Sequence, residues 1–293
     1  MLFAVHLSDG ILTSVWEIGG WIGTALLLAV ACRKVTESEI PRIGVMTAAF
    51  FVASQVHLPL GGVSAHLLLN GLVGVILVLR APLAIAVGLV LQALLFGHGG
   101  FYVLGVNVCV SAVPALIAGI AFAPLHRLGL LQRKPVRFAA TTAIALVWLA
   151  TAVVALQWVR SRMQTNSSPF PDDPALWWVA DPWVAVSLIV AAAVVGRAER
   201  WLEADPEFPI GLLLGAATAY ATVGLNCFVL WAGGKQEVRG LAGLVLLAHL
   251  PIVALEAIGV GFVVAFLAKA KPEWLGTAKP LLTTSETTSA STD

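Results

Sequence analysis

The chain has 293 residues, 59% of them hydrophobic and only 11% charged, with a formal net charge of +1. Globular domains carry about 25% charged residues, so this composition and a mean hydropathy of +0.93 exclude an ordinary water-soluble enzyme. Near-neutral charge without a basic patch interleaved with aromatics gives no footing for nucleic acid, and no such partner is expected.

The placement of charge is more telling than its amount. No Asp, Glu, Lys or Arg lies between Arg42 and Arg80, Arg80 and Arg127, Arg137 and Arg160, or Glu207 and Lys235. A surface helix of a soluble protein wets one face and cannot stay uncharged so long. About 20 apolar residues cross the roughly 30 Å hydrocarbon core of a bilayer. The expected fold is therefore all-α, a polytopic transmembrane helix bundle of seven to nine spans.

In chain order, nine candidate spans fall at 12–32, 42–56, 65–79, 82–97, 103–124, 138–159, 182–199, 209–232 and 242–268. No basic region precedes the first, so no signal-peptide layout is read there. One set of alternate loops holds 13 of the 17 basic residues, from Arg33 to Lys279, and the other only Arg160, Arg162, Lys235 and Arg239. Positive charge collects on the cytoplasmic side, which places the amino terminus outside and the carboxyl terminus inside. Residues 43–79 are tight for two full crossings. Pro59 and the Gly61-Gly62 pair prevent a helix from running through His57–Ala65, so the helices here are short or the segment dips into the membrane. Non-helical backbone at that depth needs a protein wall or a cavity. The loop 161–181 reads as an external linker with Trp177, Trp178 and Trp183 near the interface. Cys32, Cys109 and Cys227 lack paired spacing and read as buried thiols.

Histidine is the commonest ligand for nickel, cobalt, copper and zinc. Four histidines fall on the outer side in this topology: His6, His57, His66 and His98. A loop histidine is more often a polar residue with its own hydrogen bonds. His66 stands apart, because it opens a helix beside a broken loop where a buried polar group is expensive. Asn70, one turn later on the same face, is placed to orient its ring. His249 and Glu256 are seven residues apart on the last span, hence on one face, as an interior polar pair for packing or transport. Glu17 shares that ambiguity. Asn107 and Asn226 read as interhelical hydrogen-bond makers, and Gly19–Thr24 as a close-approach face. His-Glu-x-x-His, Gly-x-Ser-x-Gly and Walker A sequences are all absent, so active transport would draw energy from a partner or an ion gradient.

Four stretches carry a family resemblance. They are His6-Leu-Ser-Asp-Gly-Ile-Leu12; Val56-His-Leu-Pro-Leu-Gly-Gly-Val-Ser-Ala-His-Leu-Leu-Leu-Asn-Gly71; Gln92-Ala-Leu-Leu-Phe-Gly-His-Gly-Gly100 with Leu104-Gly-Val-Asn107; and Ala248-His-Leu-Pro-Ile-Val-Ala-Leu-Glu256 through Lys271-Pro-Glu-Trp-Leu275. The chain resembles the CbiM-type permeases, the substrate-capture subunits of cobalt and nickel energy-coupling-factor transporters. The resemblance implies a transmembrane metal-capture domain over 1–275, candidate inserted helices at 160–235, and a disordered cytoplasmic tail over 276–293. It implies that the amino-terminal segment folds back into the bundle. The metal is then held by the terminal amine, by the backbone nitrogen and imidazole of an early histidine, and by the glycine-loop histidine. Carried over, the imidazole ligands are His6 and His66, with Asp9 capping or tethering the segment and His57, His98 and Asn70 as further candidates around the metal. A flat nitrogen-rich site suits Ni(II). The chain departs from the pattern in having Leu2–Val5 between Met1 and the histidine. The remaining ligand then comes from a start elsewhere, from an amine exposed by processing (at Ala4 the histidine would stand third), or from His57 or His98.

The resemblance also implies the rest of the machine. The expected partners are a transmembrane coupling subunit, two ABC ATPase subunits, optionally a small accessory membrane subunit, and the lipid bilayer of the cell inner membrane. The chain itself is no enzyme, ATP hydrolysis falling to the partners, and it carries no permanent cofactor beyond the transported Co2+ or Ni2+. Two other readings stand beside this one: capture of a vitamin or other organic solute on the same fold, and a membrane enzyme or assembly scaffold using His249 and Glu256.

Overall fold

The computed structural model describes residues 6–60, 63–164, 207–236, 238 and 242–276, with backbone alone at 57–60, 63–64 and 158–164. The described helices are α1 (Ser14–Ala31), α2 (Ile40–Ala53), α3 (Asn70–Leu77), α4 (Ala81–Phe96), α5 (Leu104–Leu128), α6 (Lys134–Gln164), α7 (Phe208–Gly233) and α8 (Ala242–Ala270). Between α2 and α3 lies an antiparallel ribbon of β1 (His57–Leu60) and β2 (Val63–His66). Six stretches among the described residues are long and apolar enough to cross a bilayer, with Asn70–Phe96 counted as one. The protein is a multi-pass membrane protein. The candidate span at 182–199, the Trp177, Trp178 and Trp183 cluster, and the tail from 277 onward lie outside the described residues.

The tight region resolves by two devices at once. The helix α2 has 14 residues and α3 has 8, about 21 Å and 12 Å of rise, so neither is a full crossing. The all-α expectation needs one amendment, because the chain at His57–Leu60, which contains Pro59, and at Val63–His66 forms paired strands in place of helix. Each strand supplies partners for the backbone groups of the other that face it. β2 ends against α8, where Ala65 and Leu68 join a buried cluster with Trp148, Ala219, Val223, Ala248 and Ile252.

The helix axes approach closely through glycine. A Cβ on Gly20 would collide with Val106, one on Gly74 with the Ala115 carbonyl, and one on Gly215 with the Glu256 carbonyl and Ala257. These contacts join α1 to α5, α3 to α5, and α7 to α8. Polar side chains tie the same elements. Thr24 donates to the Gly105 carbonyl at 2.7 Å, and the Trp148 indole of α6 donates to Leu250 of α8 at 2.8 Å. Within the stretch 160–235, α7 packs along the length of α8 and against α5, burying Pro209, Leu212, Thr218, Thr222 and Asn226. Residues 165–206 of that stretch lie outside the described residues.

Arg80 fixes the corner at which α3 turns back as α4. Its guanidinium bonds the Glu39 carboxylate at 2.9 and 3.2 Å, and donates to the carbonyls of Ala31, Arg33 and Lys34 at 2.9, 2.7 and 3.0 Å. The last carbonyls of a helix lack intrahelical partners and favour a cation. α1 has no basic residue in its last turn, and Arg80 supplies one from another element. The Arg80 bond, helped by the Thr36 amide, holds the Glu39 carboxyl at about 2, below its usual 4.5.

Two predictions follow from this packing. A depressed carboxyl pKa stabilises fully above the unfolded value and loses its effect as pH falls through the folded value. The thermal midpoint gap between wild type and Glu39→Gln should therefore stay constant from about pH 7 to 5 and narrow steadily from about pH 4 toward 2. A gap that closed already between pH 7 and 5 would refute the ion pair. Gly74→Ala should destabilise by at least about 1–3 kcal/mol, because the new methyl must push α3 off α5, read as a lower midpoint in detergent.

Candidate functional site

Residues 6–13 carry no helix and lie across the end of the bundle where α1 and α5 begin. Three clamps hold them. The Asn107 side chain of α5 takes both peptide groups of Leu7, accepting from its N–H at 2.9 Å and donating to its carbonyl at 3.0 Å. The Asp9 carboxylate accepts from the amides of Phe101, Tyr102 and Val103 at 2.9, 2.8 and 3.2 Å. Those amides point out of the amino-terminal end of α5, where a negative side chain is favoured. Farther on, Thr13 donates to the Gly233 carbonyl at 3.1 Å and Lys235 to the Ile11 carbonyl at 3.0 Å. Gly100 is needed here, since a Cβ on it would strike the Asp9 carboxylate.

This clamped segment sets His6 against His66. Both rings are buried, at 4% and 1% exposure, with centroids 4.8 Å apart and planes tilted by 37°. An imidazole bound through nitrogen about 2 Å from an ion puts its centroid about 3 Å away, so neighbouring coordination positions hold centroids about 4.4 Å apart and opposite ones about 6 Å. The observed 4.8 Å fits neighbours. The Leu67 carbonyl accepts from Nδ1 of His66 at 2.9 Å. A proton held on Nδ1 leaves the lone pair on Nε2, the form that ligates metal. The His98 ring stands edge-on to His66, centroids 6.2 Å apart, wider than a neighbouring position. In the ribbon His57 pairs with His66, and the His57 side chain lies outside the described residues. No group of three or more His, Cys, Asp or Glu among the described residues closes on one ion.

The remaining candidates take other places. Asn70 does not orient the His66 ring: its amide donates to the Ser111 carbonyl at 3.0 Å and Thr222 Oγ1 at 2.7 Å, joining α3 to α5 and α7. The reason is direction, because α3 begins after Leu69 turns left-handed at φ 50°, which rotates Asn70 away. His249 and Glu256 share a face and both are buried, yet they bond elsewhere. His249 Nδ1 donates to the Val245 carbonyl at 2.6 Å. Glu256 Oε1 accepts from the amides of Leu68 and Leu69 at 2.6 and 2.7 Å. Glu17 is half-buried in the first turn of α1. Cys109 and Cys227 are half-buried and Cys32 is exposed, so none of the three is the fully buried thiol expected. Sequence reasoning missed the Asn107 clamp and the Glu256 contact. The one available signal was the position of Asn107 within Leu104-Gly-Val-Asn107.

Comparison with known proteins bears on this arrangement. The family described as "CbiM: Cobalt uptake substrate-specific transmembrane region" matches residues 6–199 and 176–274. A "Putative metal transport protein" of Haemophilus influenzae is 41% identical over 118 residues, covering 40% of this chain and 57% of that one. "Cobalt transport protein CbiM" of Geobacter sulfurreducens is 27% identical over 292 positions, covering 93% and 75%. "Putative fused nickel transport protein NikMN" of Archaeoglobus fulgidus is 40% identical over 120 residues, covering 39% and 40%. The first of these matches thus spans little more than half of its relative's length. All three relatives are named as transport proteins, and none as an enzyme. With the family pattern matched on both sides of the bundle, including the histidine end and the last helix, this chain belongs to the CbiM family of cobalt-uptake transmembrane proteins.

Proposed function

We propose that the protein is the substrate-specific membrane component of an ATP-driven energy-coupling-factor importer and captures Co2+ or Ni2+ between His6 and His66. The approach of these two buried rings to 4.8 Å carries the reading. A broad pocket with the histidines apart would have suited an organic solute, and their convergence supports an ion. The remaining donors come from a terminal amine with its neighbouring amide, or from His57 or His98. Such a set is rich in nitrogen and suits late first-row divalent ions.

The site end lies outside the cell in this reading, and the protein sits in the inner membrane. Arg33, Lys34, Arg42, Arg80, Arg127, Arg133 and Lys134 gather at the opposite end of the bundle, as the cytoplasmic side requires. Asn107 and Asp9 hold the ligand segment, so less ordering remains when the ion arrives. Energy comes from partners: a transmembrane coupling subunit and two ABC ATPases, with a small accessory membrane subunit as an optional member.

Titration of purified protein with Ni(II) and Co(II) tests the proposal, after mass spectrometry has fixed the mature amino terminus. Binding should weaken at least about 100-fold in His66→Ala, the loss of a direct ligand exceeding the 10–100-fold typical of groups that merely orient one. Undiminished binding in that variant would sink the site. Asn107→Ala should weaken binding about tenfold, the equivalent of roughly 1.4 kcal/mol, by freeing Leu7 from both its bonds. An unchanged affinity there would remove the clamp from the capture mechanism.

A further inference from the structure

Glu256 lies seven residues beyond His249 on α8 and is 3% exposed. It has no basic side chain bonded to it among the described residues, and its oxygen Oε1 instead takes the amides of Leu68 and Leu69 at 2.6 and 2.7 Å. Those amides stand two and three residues after His66, between the end of β2 and the start of α3. The chain passes from strand to helix there, and Leu69 takes a left-handed conformation that a leucine rarely adopts. Leu68 and Leu69 follow β2 and precede the first turn of α3, so neither strand pairing nor helix supplies their amides. A single oxygen from α8 therefore satisfies two consecutive amides and fixes the turn that follows His66. α8 is a firm base for it, because Gly215 of α7 packs directly on the Glu256 carbonyl and Ala257.

We infer that Glu256 is the positioning residue of the capture loop, setting the height and aim of His66 toward His6 through the backbone of Leu68 and Leu69. The inference rests on the proposed metal site and adds a residue of α8 to it. Its action depends on reach rather than on charge. A side chain of the same length with an acceptor oxygen keeps the loop in place, and a shorter carboxylate does not.

Length and charge separate in two variants of the full chain, Glu256→Gln and Glu256→Asp. Ni(II) titration should leave Glu256→Gln within about threefold of wild type, and should weaken Glu256→Asp by about tenfold or more, the scale of a lost orienting group. Hydrogen exchange of the metal-free proteins should show the amides of Leu68 and Leu69 losing protection in Glu256→Asp, while those of α5 and α7 keep theirs. The reverse order, with Asp tolerated and Gln crippled, would overturn the inference in favour of a purely electrostatic role. So would equal affinity in all three proteins, or loss of protection spread evenly through the helices. A wild-type protein that binds neither Ni(II) nor Co(II) overturns the metal site itself, and the positioning role with it.

Discussion

Chain that is not helical cannot rest inside a membrane bundle unless each of its peptide groups finds a partner. Three side chains meet that demand here. Asn107 takes the Leu7 peptide, Asp9 takes three amides ahead of α5, and Glu256 takes two amides ahead of α3. In each case a polar residue from one segment pairs with the backbone of another, far away in sequence. The two histidines sit on the segments so held. These three polar side chains are spent on backbone, and the segments they hold bring the histidine rings to 4.8 Å.

This division of labour explains which parts of the molecule were legible in its sequence. The charge-free intervals announced the bundle, because the bilayer acts on every residue of a span alike. Pro59 and Gly61-Gly62 announced the break after α2, because they act on their own backbone. Strand pairing across that break is a relation between two segments, and no local pattern of residues records it. The same holds for Asn107, whose partner lies 100 residues earlier, and for Glu256, whose partners lie 188 and 187 residues earlier. Asn70 was misplaced for a related reason. Helical spacing from His66 assumes that the helix already runs at His66, and the left-handed Leu69 between them resets the direction.

The chemistry of the proposed site follows from a small detail of one ring. A carbonyl on Nδ1 of His66 selects the tautomer that carries its lone pair on Nε2. Tautomer choice by a backbone oxygen needs no further side chain, which suits a loop in which few residues are polar. His249 is held in the same way by Val245, although it takes no part in the pair.

Helix α5 contributes more than packing. Asn107 grips the segment of His6, the amides before Leu104 receive Asp9, and the Ser111 carbonyl receives Asn70 at the head of α3. Both histidines are thus gauged from one rigid rod, as two marks are set from a single ruler. A tilt or rotation of the whole molecule in the bilayer leaves the distance between them untouched. For the proposed site, letting go of an ion then calls for an event of a different kind: peeling the first few described residues off α5, or sliding α3 along it.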